Sequence, residues 1–237
     1  MNVTPGHGTS RERVAESGYD VAMAESVTSD AHADAAHRFL RGHSRADIRF
    51  DEHLRPLKYV IAPEDGRLIL SVMVAMIDAL DTVLFVPETE EGAMELMVTL
   101  DQFKERGPQA SAVDRWIIHH GDPPDVRWAF ASIDAARYDG MVIDGEALMR
   151  PNALIRDEPA LCRWLNQTHL DGVGRLCLRH AEKKLETPVV VGIDPGGIDV
   201  RGRFDVHRIE AVEPMPTAED ARRVVGAMLE SVAEAGA

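Results

Sequence analysis

The stretch LCRWLNQTHLDGVGRLCLRH, residues 161–180, gathers Cys162, His169, Cys177 and His180. These are both cysteines of the chain and two of its ten histidines. Thiolate and imidazole are ligands of zinc, so the first chemistry to test is a metal centre. On one helix at roughly 100° per residue, His169 lies near −20° from Cys162, Cys177 near 60° and His180 near 0°, about one face. Along the axis, however, Cys162 and His180 stand roughly 27 Å apart at about 1.5 Å per residue, whereas zinc ligands sit within about 2.3 Å of one ion. The same face carries Leu165, Val173 and Leu176. The spacing therefore predicts a buried amphipathic stripe and no metal site, with free cysteine acting as a small apolar residue. His169 is expected to be a hydrogen-bonded core histidine.

Other residues could also do chemistry. Arg115, Arg127 and Arg137, near Trp116, Trp128 and Tyr138, could form a basic, aromatic wall able to hold an anionic planar ligand. His120, beside His119 at a strand end, could add a ligand or a general base to it. Adjacent strand residues face opposite ways, so His119 and His120 do not share one metal. His32 and His37 are not at helical i, i+4 spacing and read as surface residues. Asp194, Asp199 and Asp205 lie on or beside strands, where a cation or plain solvation would suit them. GIDPGG leads from strand to strand without a helix N-terminus for a phosphate. No G-x-S-x-G nucleophile motif occurs.

These residues need a frame. The chain has 237 residues and is 45% hydrophobic, enough for a large core in one or two domains. Its net charge of −14 argues against nucleic acid or an anionic membrane as the main partner. No apolar run reaches the roughly 18–20 residues that span a bilayer, and the first residues lack an apolar signal core. Two cysteines make no disulfide framework, so a cytoplasmic setting is expected.

Residues 1–28 read as a polar tail. SDAHADAAHRFLRG reads as a helix with Ser29 as N-cap and Gly42 near its end. From residue 57, LKYVIAP, RLILSVM, TVLFVPE and AMELMVTL are short strands separated by turn signals. VDRWIIHH and VRWAFASID look like a hairpin around GDPPD, and YDGMVIDGEALM like a strand pair around Asp144–Gly145. This closely spaced series predicts an antiparallel barrel or sandwich over 29–150. Over 151–237, a helical stretch precedes TPVVVGID, GIDVRG and DVHRIEA, three short strands. A final helix follows, capped by Thr217 with Asp220 at N3 and striped with Ala221, Val224, Val225, Met228, Leu229 and Val232. The fold class expected is α+β, a barrel followed by a small helix–three strands–helix module.

LNQTHLDGVGRLC, VVGIDPGGIDVRG and HRIEAVEPMPTAEDARRVVGAMLE resemble the C-terminal domain of unknown function 2470 (DUF2470). That domain is attached to split-barrel proteins related to pyridoxamine 5′-phosphate oxidase, including HugZ-type haem-utilisation proteins. The matching residues are Asn166, His169 and Asp171; Ile193, Asp194, Gly197 and Arg201; and Arg208, Thr217, Glu219 and Arg222. Thr168 stands where the family has an aspartate. The resemblance implies a split β-barrel of the FMN-binding type, a homodimer, and haem or FMN in a cleft between subunits. Against an FMN phosphate, PETEEGAMEL after TVLFV carries Glu88, Glu90, Glu91 and Glu95 and no Arg or Lys. Two functional readings stand: a barrel that binds haem or flavin, or a non-enzymatic dimeric binding or regulatory protein that has lost the cofactor.

Overall fold

A computed structural model describes residues 30–125, 127–180, 182 and 184–234; the expected tail and the Ser29 cap lie outside the described residues. The first helix, α1, covers residues 30–41 and buries Ala33, Ala36 and Leu40, an i, i+3, i+7 ridge. Gly42 ends it, its N–H donating to the carbonyls of Arg38 and Phe39.

One antiparallel sheet then takes β1 (Arg45–Phe50), β2 (His53–Ile61), β3 (Leu68–Val72), β4 (Thr82–Val86), β5 (Met94–Phe103), β6 (Arg127–Tyr138) and β7 (Met141–Asp144). The order is β3-β2-β1-β4-β5-β6-β7, and β3 also pairs with β6, Leu68 opposite Ala131 and Val72 opposite Arg127. That second pairing closes β1–β6 into a six-stranded barrel and leaves β7 outside it. Ala46, Ile48 and Phe50 of β1 and Met94, Leu96 and Val98 of β5 fill the interior by two-residue alternation. The α+β class and the antiparallel barrel expected from the strand spacing are what the chain adopts.

Three local expectations are corrected. VDRWIIHH is not a strand: Ala110–His120 forms a helix, α3, after the short α2 (Val74–Ile77). Its buried residues Ala112, Val113, Trp116 and His119 fall at helical spacing, while Ile118, which a strand would put on the face of Trp116, is exposed. The helix covers the outer face of β2 and β3, packing on Val60, Ala62 and Ile69, and so β3 is buried along its whole length. The β6–β7 turn falls at Asp139–Gly140, not Asp144–Gly145. Both turn residues have positive φ (49° and 76°), the geometry that favours Asp-Gly in a two-residue hairpin. Asp144 instead caps a 3₁₀ turn (Gly145–Ala147). Finally β1 begins at Arg45, ahead of the region read as strands.

The rest of the chain builds α4 (Glu158–Thr168), α5 (Leu170–His180), β8 (Val189–Asp194), β9 (Gly197–Arg201), β10 (Val206–Glu210) and α6 (Ala218–Glu234). The three strands pair antiparallel in the order β10-β9-β8. Ile198, Val200 and Ile209 point from this sheet into a second core with Leu161, Leu165, Val173, Leu176 and the α6 stripe. Thr217 caps α6 as expected, its hydroxyl oxygen accepting from the Asp220 N–H at 3.1 Å. The side chain of Asn166 pairs with both the N–H and the carbonyl of Val190, each at 2.8 Å, standing in for a neighbouring strand.

The helix through 161–180 breaks at His169, the C-cap of α4. Cys177 is buried in the second core and Cys162 packs half-buried against it. Burial pushes both thiols up, Cys162 to about 12 and Cys177 to about 11. His169 is not the hydrogen-bonded core histidine expected: it is half-exposed and stands edge-on to Trp164, ring centroids 4.9 Å apart. His180 is exposed. No helix among the described residues is long and apolar enough to cross a membrane.

Candidate functional site

The second face of the β8–β10 sheet meets the barrel. Alternation sends Ile198, Val200 and Ile209 to one side, and therefore Asp199 and Arg208 to the other. Register then places Gly192, Asp199 and Arg208 in one row across the three strands. Arg208 Nη1 donates to Asp199 Oδ1 at 2.9 Å and Nη2 to Asp194 Oδ1 at 2.5 Å. Arg41, at the end of α1, also donates to Asp194 and so ties the barrel side to this sheet.

Beside this cluster, Arg115 of α3 meets Glu158 of α4. The guanidinium makes two parallel bonds to the carboxylate, both 2.9 Å, and its Nε donates to the carbonyl of Ile61 at 3.2 Å. Glu158 Oε1 also accepts from the Ile193 N–H at 3.2 Å. Three arginines and three carboxylates thus neutralise one another at the junction, all with side chains no more than 15% exposed. Ions this buried persist only when paired and hydrogen-bonded. The electrostatics follow. Burial alone would raise the Asp199 carboxyl, but Arg208 and Arg41 hold it down to about 2. Burial and the neighbouring Arg208 bring Arg41 down to about 10. Burial works against the charge of Arg115, yet its hydrogen bonds to Glu158 raise it further.

In front of this network lies a cleft of about 480 Å³. The network supplies its floor through Arg41, Arg115, Arg208 and Asp194, while Ala62, Pro63, Pro151, Pro195 and Ala211 give apolar walls. Arg38 and Arg150 complete the lining from the barrel side, Glu210 and Glu213 from the other. Arg150 bonds to Asp34 and to the carbonyl of Ala147; Arg38 is exposed and has no side-chain partner among the described residues. The volume falls in the roughly 300–1,000 Å³ range of small-molecule pockets.

The residues singled out from sequence are placed differently. Arg115 and His120 share α3, but Arg115 is held by Glu158, and His120 Nε2 bonds to the carbonyl of Tyr59 at 2.9 Å with its ring tilted on Trp116. Burial lowers His120 to about 4 despite that bond. Arg127 and Arg137 stand near opposite ends of β6, roughly 33 Å apart at about 3.3 Å per residue. Both are exposed, and Arg137 pairs with Glu95. The four do not come together as one wall. Trp116 and Trp128 do meet, edge to face at 5.5 Å, as core of the α3 contact. Asp194 and Asp199 are paired with the guanidiniums of Arg41 and Arg208. His37, expected on the surface, bonds to the carbonyl of Leu148 at 3.0 Å and is lowered by burial to about 4. His32 likewise bonds to the carbonyl of Tyr138.

Arg38, Arg41 and Glu158 were not singled out from sequence. Arg41 had a signal: it continues the α1 ridge one turn beyond His37, where a charge must find a partner. Glu158, at the start of α4, had none, because its partner comes from a segment read as a strand.

The groups implied by the resemblance can be tested against these residues. The β4–β5 loop is exposed and carries Glu88, Glu90 and Glu91, so it is no cradle for an FMN phosphate. His120, the histidine suggested for haem, has its Nε2 engaged by a backbone carbonyl and its ring packed on Trp116. Neither group fits at the positions expected for it.

No family model matches the chain, and no curated protein matches it. Solved structures do. The protein Atu2129, of unknown function, from Agrobacterium tumefaciens str. C58 superposes with a TM-score of 0.64 at 17% identity, covering 96% of this chain and all of that one. A haem-binding protein from Mycobacterium smegmatis matches at 15% identity and a TM-score of 0.38, over 85% of this chain and 97% of its own; so distant a likeness has no bearing on what this chain binds. The first likeness is one of fold, and it extends over barrel and C-terminal module together: the chain has the architecture of a six-stranded antiparallel barrel joined to a small α+β module.

Proposed function

We propose that this chain is a binding protein of the split-barrel type that holds a small organic anion in the cleft between barrel and C-terminal module. The supporting observation is the cleft itself, with apolar walls, a floor of arginines already neutralised by carboxylates, and Arg38 at its rim without a side-chain partner among the described residues. The floor fixes the shape of the site and Arg38, helped by Arg150, supplies the charge. An anionic group would lie against these guanidiniums and an apolar body against Ala62, Pro63 and Pro151. Haem and flavin, the planar anions of the family the chain resembles, enter this reading only as candidate occupants of the cleft.

We also infer that the protein works as a homodimer, as split-barrel relatives do. Met97 and Val142, exposed on the outer face of β5 and β7, give that face apolar surface a second copy would cover. Light scattering reads the mass directly: twice the chain mass is expected, and a monomer at all concentrations would reject this part.

A generic probe tests the cleft. 8-Anilinonaphthalene-1-sulfonate joins an apolar ring system to one anionic group and fluoresces when sheltered from water. It should bind the full-length protein saturably at one site, and FMN or hemin should displace it if either is the natural class of ligand. Absence of saturable binding to the folded protein would overturn the reading.

A further inference from the structure

His119 is among the most deeply buried polar side chains of the described residues, 4% exposed. Its Nδ1 lies 2.8 Å from the carbonyl of Arg115, an acceptor, so the ring proton sits on Nδ1 and Nε2 presents a lone pair. No described protein group bonds to that nitrogen. A buried acceptor left without a donor is costly, and native proteins commonly meet such a need with an ordered water.

The surroundings suit a donor of that size. A Cβ on Gly192 would lie 2.8 Å from Asp199 Oδ2 and 3.4 Å from both His119 Nε2 and Glu158 Oε1. Glycine at this position therefore puts no side chain among these three acceptors. Of these, Glu158 Oε1 already accepts two hydrogen bonds, from Arg115 and from the Ile193 N–H. His119 and Asp199 also line a cavity of about 30 Å³ together with Arg41, Tyr59, Arg115 and Arg208. A cavity needs roughly 10–15 Å³ of such space to admit a water, so this one has room.

We propose that this cavity is a binding site for one ordered water that donates one hydrogen to His119 Nε2 and the other to Asp199 Oδ2. A guanidinium N–H from the cavity wall completes its hydrogen bonds. The water joins α3 of the barrel to β9 of the C-terminal module, behind the arginine floor of the cleft. Its presence is independent of what the cleft binds. A metal ion is the poorer occupant, because Arg41, Arg115 and Arg208 already balance the nearby carboxylates and would repel a further cation. Burial, reinforced by Arg115, pushes the His119 imidazole down to about 3, so it stays an acceptor at neutral pH.

A high-resolution crystal structure of the full chain, with anomalous data, tests this. The expected result is a single peak roughly 2.7–3.1 Å from both His119 Nε2 and Asp199 Oδ2, with no anomalous signal. In solution, magnetisation transfer from water to the His119 ring protons should be present in the wild type and absent from the matching position in His119→Phe. A peak with anomalous signal at about 2.1 Å from Nε2, the distance of a metal ligand, would overturn the proposal. So would a cavity without density, or a wild-type ring that shows no transfer from a long-lived water.

Discussion

Arg115 and Glu158 meet through two 2.9 Å hydrogen bonds, one from each Nη to each carboxylate oxygen, which join a helix of the barrel to the first helix of the C-terminal module. Neither residue can lose its partner cheaply. Arg115→Ala leaves a buried carboxylate, and Glu158→Gln leaves a buried guanidinium; each should destabilise by about 3–5 kcal/mol. Replacing both by apolar residues of similar size should cost clearly less than the sum. Urea unfolding of the two single variants and the double gives the comparison, and additive losses would contradict a paired, desolvated junction.

Asn166→Ala should act within the C-terminal module alone. It removes both side-chain bonds to Val190 and leaves the edge of β8 without that partner. A loss of roughly 1–3 kcal/mol is expected for an unsatisfied buried group, read as a lower urea midpoint. An unchanged midpoint would show that water replaces the amide at no cost.

Acid should weaken the fold before the carboxylates titrate. His37, His119 and His120 are held at about 4, 3 and 4 in the folded chain, below the ordinary 6.5, chiefly by burial. Between those values the unfolded chain binds more protons. Stability is therefore full above about pH 6.5 and falls as pH drops towards 4, by up to about 1.4 kcal/mol per unit for each group. Asp199, held at about 2 against an ordinary 3.8, adds a loss of the same sign below pH 3.8. Urea midpoints from pH 7 to 4 should decline steadily, and His37→Gln should flatten the slope. A constant midpoint across that range would contradict burial of these rings.

The two thiols should be slow towards a thiol-specific reagent such as dithionitrobenzoate. Burial holds both well above the usual thiol range, and Cys177 is fully buried. Both should react at once in denaturant. Rapid native reaction of both would show that the second core opens readily.

The parts of this architecture that were legible were those governed by local periodicity. Two-residue alternation in AMELMVTL marked β5, and the Ala221–Val232 stripe with its Thr217 cap marked α6. VDRWIIHH was misread because its apolar residues satisfy a short strand as readily as a helix. That error hid the site, since Arg115 and His119 reach the C-terminal module only from a helix. The junction network is legible in halves: Asp194 and Arg208 are among the residues that carry the sequence resemblance, but pairing them with Arg41 requires the docking of two units that periodicity does not describe. Gly192 looked like an ordinary strand residue until its neighbours across the junction were known.

Binding of an organic anion in the junction cleft is proposed to run through Arg38. Its most direct test is a fluorescence titration of the full-length protein with 8-anilinonaphthalene-1-sulfonate, comparing wild type with Arg38→Ala. Arg38 has no partner to lose among the described residues, so the unfolding midpoint should stay put. Loss of one charge-assisted contact, worth roughly 1.5–3 kcal/mol, should weaken binding about 10- to 100-fold. Saturable binding that is equally tight in the variant would place the ligand elsewhere and rule out Arg38 as the anion's partner.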